Sequence, residues 1–99
     1  LLLASGTASI DAAGATVHVD DPAGQIRETY AAVGALWRDL ERDWEAVVTG
    51  VLFFKDPETW AAWQRLRVKG EVPDIPGIPV YGDVCRDDLL FELEATAFD

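Results

Sequence analysis

The run Ala46-Val47-Val48-Thr49-Gly50-Val51-Leu52-Phe53-Phe54, followed at once by Lys55-Asp56-Pro57, decides the fold of this chain. It is almost unbroken in apolar character and rich in β-branched and aromatic residues. That pattern predicts a strand buried on both faces, at the centre of a sheet. Asp56-Pro57 then supplies a helix cap with proline at the first helical position. The strand therefore passes directly into a helix that turns Trp60, Trp63 and Leu66 or Arg67 inward and ends near Lys69, before Gly70.

Working outward toward the N-terminus, Asp21-Pro22 repeats the cap-then-proline signal. Ile26, Tyr30, Val33, Trp37, Leu40 and Trp44 follow at alternating steps of four and three, which predicts one long amphipathic helix. Its other face carries Arg27, Glu28, Arg38, Asp39, Glu41 and Arg42, a mixed-charge solvated surface. Before it, Leu1 to Ser5 and Ala15 to Val19 read as two strands separated by a turn around Asp11 to Gly14.

Toward the C-terminus, Pro73-Asp74-Ile75-Pro76-Gly77-Ile78-Pro79 is too proline-rich for a helix or a central strand and reads as a loop. Val80 to Cys85 and Leu89 to Ala97 read as the last two strands, joined by the polar turn Arg86-Asp87-Asp88. The expected fold is therefore α/β in the α+β sense, a single domain over residues 1–99 with two helices packed on one face of a mixed sheet. The other sheet face is left bare, and covering it calls for a partner.

Composition bounds the function. A chain of 99 residues buries only about 60 to 65% of its unfolded surface, so shared subunit surface is an expected source of stability. Eight Lys and Arg against eighteen Asp and Glu give a net charge of -10, which argues against nucleic acid and anionic membrane surfaces as partners. The one cysteine, Cys85, has no internal disulfide partner, and no Cys/His cluster has metal-ligand spacing. The chain is thus expected to be cytoplasmic, reduced and free of metal or other cofactor. It contains no Met and opens on Leu1-Leu2-Leu3-Ala4 as if inside a strand, so residues upstream of Leu1 are expected.

Candidate chemistry gathers on the last strand. Alternation puts Phe91, Leu93, Ala95 and Ala97 on one face and Leu90, Glu92, Glu94 and Thr96 on the other. Two carboxylates about 6.5 to 7 Å apart on one face repel by about 2.5 kcal/mol at an effective dielectric of about 20, which makes one of them a candidate general acid or base. Cys85, at a strand end, is a candidate pocket-lining thiol. Arg86 could reach an anionic substrate. His18, the one imidazole, has no Ser or Cys near it in sequence and reads as a surface or structural residue. The four Trp fall at helical core positions.

Ser5-Gly6, the long helix, the strand ending Phe53-Phe54-Lys55-Asp56 and the closing Leu90-Phe91-Glu92-Leu93-Glu94-Ala95 together resemble the Rid/YjgF family over nearly the whole chain. The resemblance implies a homotrimer whose sheets close into a central barrel, with small-molecule clefts at the subunit interfaces. It also implies a last-strand glutamate that activates water in imine hydrolysis, matched by Glu92. The arginine that holds a substrate carboxylate in that family falls at Gly77 here, so the deaminase signature is broken.

Ser5-Gly6-Thr7-Ala8-Ser9-Ile10 with Val80-Tyr81-Gly82-Asp83-Val84-Cys85-Arg86-Asp87-Asp88-Leu89-Leu90 resembles more narrowly the C-terminal half of chorismatases, which remove pyruvate from chorismate in bacterial secondary metabolism. This second resemblance implies Glu92 as acid/base, with Cys85 and Tyr81 lining the cleft and Gly6, Thr7 and Ala8 shaping it. Chorismatases carry further cationic residues in a preceding domain that this sequence does not show. A binding or assembly module without catalysis is the competing expectation.

Overall fold

The computed structural model describes residues 1–82 and 86–98. Strand β1 spans Leu2–Thr7, helix α1 Pro22–Asp39, β2 Val47–Phe54, helix α2 Pro57–Val68, β3 Ile78–Tyr81 and β4 Phe91–Ala97. A short 3-10 turn, Trp44–Ala46, precedes β2. The four strands form one sheet in the order β1-β4-β2-β3. β4 runs antiparallel to both neighbours, and β2 runs parallel to β3 through the α2 crossover. The sheet is mixed, as expected, and β2 is an inner strand.

Both helices start where the cap signals place them. Asp21 Oδ1 accepts the Gly24 amide at 3.0 Å, and Asp56 Oδ1 accepts both the amide and the hydroxyl of Thr59 at 2.8 Å. Ile26, Tyr30, Val33 and Trp37 of α1 join Ala62, Trp63 and Leu66 of α2 over Leu52, Phe54, Phe91, Leu93 and Ala95 in one buried cluster. Tyr30 is the polar member of that layer: its hydroxyl accepts from Trp63 Nε1 at 3.0 Å, and burial pushes its pKa up to about 12.

Several local expectations are corrected. Helix α1 does not continue to Trp44. Glu41 takes a left-handed φ of 58°, and the Arg42 and Glu41 amides turn back to Trp37 O and Arg38 O at 2.7 and 3.0 Å, a Schellman closure. Trp44 instead folds back so that its ring meets Tyr30 at a tilt and Trp37 edge-on. Residues 15–19 form no strand, only an isolated bridge between Ile10 and Thr16, because His18 and Asp20 both take positive φ.

Trp60 is not inward either. It is 37% exposed, while Thr59, Ala62, Trp63 and Leu66 fill the buried stripe of α2. Finally, β2 is not covered on both faces: Val48 and Thr49 are exposed, and Val51 and Phe53 are half-buried. Pro79 lies within β3, and β3 is an edge strand, where the missing proline donor leaves no inner ladder bond unmade. The strand expected over Val80 to Cys85 begins earlier, at Ile78, and Asp83, Val84 and Cys85 lie outside the described residues.

Candidate functional site on the helix-free sheet face

Alternation along β4 is as the sequence predicts. Phe91, Leu93, Ala95 and Ala97 are buried under the helices, and Glu92, Glu94 and Thr96 are half-buried on the opposite side. The register then decides their neighbours. Glu92 is opposite Phe53, which is opposite Val80, and Glu94 is opposite Val51, which is opposite Ile78. Directly opposed residues project to the same side, so the two carboxylates sit in an apolar frame. Ile78 is 63% exposed and, at the far end, Leu3 is 60% exposed. An apolar face of this kind marks an interaction surface or the wall of a ligand site.

Gly6 shapes the floor beside Glu92. β1 carries one extra residue between the pairs Ala4–Ala95 and Thr7–Leu93, a bulge of the type that re-aims neighbouring side chains. Gly6 has φ +35°, and a Cβ built on it would lie 2.8 Å from Glu92 Oε1. Only a residue without a side chain both accepts that φ and lets the carboxylate rest against the backbone.

The turn that leads into Glu92 is tied down from several directions. Gln25, fully buried on α1, donates to Asp88 O at 2.8 Å and to His18 O at 3.3 Å, and accepts the Leu90 amide at 2.8 Å. Lys55 Nζ donates to Asp87 O, and the Lys55 amide donates to Leu90 O at 3.0 Å. Arg86 donates to Gly14 O at 2.6 Å and to Thr16 Oγ1 at 3.4 Å. Thr16 in turn donates to Asp88 Oδ1 at 2.9 Å. Arg86 therefore braces the turn against the 14–16 loop.

The remaining sequence candidates separate. Gly6 is at Glu92, and Thr7 and Ala8 continue the same strand edge, Thr7 opposite Leu93 and Ala8 buried. Tyr81 is opposite Phe54, on the helix side, where it forms with Trp60, Pro79 and Phe54 a shallow apolar concavity of about 200 Å3. Gly77 also faces the helix side, because a Cβ there would meet Leu52 Cδ1 at 2.7 Å. A side chain at this position would start into the core, so neither Tyr81 nor Gly77 converges on Glu92. Cys85 lies outside the described residues. His18 is a surface residue 3.7 Å from Glu28.

Phe53, Val51 and Val80 belong to the face, and sequence reading missed them, since only the pairing register shows which of their alternating positions accompany Glu92. Gln25 carried no signal at all, being a lone polar residue in an amphipathic pattern. Among the described residues, no group of three or more His, Cys, Asp or Glu side chains could hold a metal ion. Among the same residues, no helix is long and apolar enough to cross a membrane.

Solved structures match the chain over nearly its whole length. A Rid-family protein of unknown function, YyfB from Yersinia pestis, aligns with a TM-score of 0.76 at 24% identity, covering 97% of this chain and 76% of its own. The YjgF gene product from E. coli aligns at 0.73 and 20% identity, covering 96% and 77%. E. coli TdcF, solved with bound serine, aligns at 0.77 and 17% identity, covering 98% and 79%. At these identities the likeness shows the fold: two helices on a mixed sheet in the Rid/YjgF arrangement, as the sequence resemblance implied. No protein-family model matches the sequence, and no curated protein matches it.

Proposed function

We propose that the helix-free face is one wall of a small-molecule site completed by a neighbouring copy in a homotrimer, and that Glu92 is its acid/base residue in a lyase or hydrolase reaction. The observation that carries this reading is the seating of the Glu92 carboxylate against Gly6 at the bulge, in an apolar frame of Phe53, Val51 and Val80. A half-buried carboxylate held by a braced turn beside an uncovered apolar surface suits proton transfer to a small substrate once a neighbour excludes water. Serine bound in a structure of the same fold supports a small molecule as the ligand class.

Two reactions fit. The chorismatase resemblance supports removal of pyruvate from chorismate or a related small molecule, with Glu92 as acid/base and Cys85 lining the pocket. The Rid/YjgF fold supports imine hydrolysis. There Glu92 takes a proton from water as its oxygen adds to the C=N carbon; the proton returns to nitrogen, and C–N cleavage releases ammonia and the carbonyl compound. A screen of chorismate, read as pyruvate, and of imines from amino-acid oxidation, read as ammonia, tests both. One reaction is expected to be accelerated and to be lost in Glu92→Gln at unchanged trimeric mass by light scattering. Full turnover in Glu92→Gln removes the assigned role, and silence on both substrates favours a binding module.

A further inference from the structure

The geometry points to Gln25 as the positioning residue of the Glu92 site: from the helix layer it completes the rung at which β4 begins, and so fixes the register from which Glu92 projects. This rests on the reading above of Glu92 as the acid/base residue. It goes beyond that reading by tying a buried helix residue to the same chemistry.

β4 meets β2 in antiparallel register as far as Phe54 opposite Phe91. The next rung outward is Lys55 opposite Leu90, and there the Lys55 amide donates to Leu90 O at 3.0 Å. In a rung of this kind the two residues ordinarily exchange two backbone bonds. Here the second bond leaves the ladder: the Leu90 amide donates to Gln25 Oε1 at 2.8 Å. Gln25 thus stands in for a strand at the entry of β4. Glu92, two residues on, is the next position whose side chain and backbone groups point the same way as those of Leu90.

The carboxamide has one usable orientation. Its Nε2 donates to Asp88 O at 2.8 Å and to His18 O at 3.3 Å, so turning it over would set a donor against the Leu90 N–H and an acceptor against two carbonyls. Gln25 is fully buried, which strengthens these bonds, and the Asp21 cap on the Gly24 amide fixes the helix turn that carries it. A slip of β4 by one residue would bring Phe91 or Leu93 to the face that holds Glu92. The contact of Glu92 Oε1 with the backbone at Gly6 belongs to the register that Gln25 holds. Misplacing a reacting group by about 1 Å can cost about 100-fold in rate.

NMR of the chain with isotope-labelled amides and glutamate carboxyls tests this, comparing Gln25→Met, which removes the acceptor for Leu90, with Gln25→Glu, which keeps it. In Gln25→Met the Glu92 carboxyl carbon and the Gly6 amide are expected to move while the Glu94 carboxyl carbon stays. In Gln25→Glu all three are expected to stay, although that protein is less stable. Gln25→Asn, whose carboxamide falls one methylene short of Leu90, takes the place of Gln25→Met should the latter not fold. In the reaction that the substrate screen identifies, Gln25→Met should lower kcat by about tenfold and change KM by less than about twofold. Wild-type Glu92 and Gly6 signals in Gln25→Met overturn the inference. Equal displacement in both variants does so too, because a merely structural role follows stability and not the Leu90 bond. Unchanged kcat in Gln25→Met beside lost turnover in Glu92→Gln has the same force. If the signals follow the Leu90 bond but Glu92→Gln keeps full turnover, the acid/base role fails and Gln25 still positions the side chain.

Discussion

The side-chain oxygen of Gln25 accepts the backbone amide of Leu90 at 2.8 Å, joining the first turns of α1 to the entry of β4 across 65 positions of sequence. The same carboxamide donates to Asp88 O, so one buried side chain satisfies both polarities of the turn that precedes Glu92. Gln25→Leu leaves both groups without their partner and should lower unfolding free energy by about 2–3 kcal/mol, measured by urea denaturation. Gln25→Glu keeps an acceptor for Leu90 but sets a carboxylate against Asp88 O. Its deficit should shrink on acidification, as the protonated acid becomes a donor again. A variant of unchanged stability would remove Gln25 from this role.

Gly6 and Glu92 are coupled by contact. Gly6→Ala brings a Cβ to 2.8 Å from Oε1 at a φ of +35°, so a loss of about 1–3 kcal/mol is expected. In a double-mutant cycle with Glu92→Ala, the steric part should vanish and the backbone part remain. Strict additivity would show that the carboxylate does not rest on Gly6 in solution.

The two helices end in the same Schellman geometry with different residues at the left-handed position. Gly70 takes it at φ 73° after α2, and Glu41 takes it at φ 58° after α1. A non-glycine residue there carries a steric cost of about 1 kcal/mol, so Glu41→Gly should stabilise the protein and raise the melting temperature by about 4–8 °C. Gly70→Ala should shift it in the opposite direction.

Tyr30 sets an alkaline limit. Burial raises its pKa from 10.0 to about 12, so the neutral phenol is favoured in the folded state. The associated stability is complete below pH 10, where the unfolded chain also keeps its proton. It is lost as pH rises from 10 through 12, by about 2 kcal/mol. Tyr30→Phe should be less stable at pH 8, having lost the Trp63 hydrogen bond, and should show a flatter stability profile between pH 10 and 12. Equal slopes for the two proteins would place the titration elsewhere.

What the sequence determined by itself is local. Asp21-Pro22 and Asp56-Pro57 set both helix starts, because a cap and its proline act within four residues. The 26-30-33-37 stripe of α1 and the alternation of β4 also followed from periodicity, since 3.6 and 2 are properties of the backbone. Glu92 was legible as a candidate on that ground alone. The end of α1 was not: Leu40 and Trp44 keep the apolar rhythm, and a glutamate in the left-handed region leaves no mark in it.

Only the tertiary structure decided which residues accompany Glu92. Shifting a strand pairing by one residue exchanges its two faces, so Tyr81 and Gly77 fall on the helix side and Val80 and Phe53 on the Glu92 side. Nothing local distinguishes these outcomes. Gln25 and Leu90 are likewise 65 positions apart, and their bond exists because α1 packs over the start of β4. The bareness of the Glu92 face, which the sequence predicted from two helices and one sheet, acquired its content from the register: two carboxylates, an apolar frame and no cation on any strand.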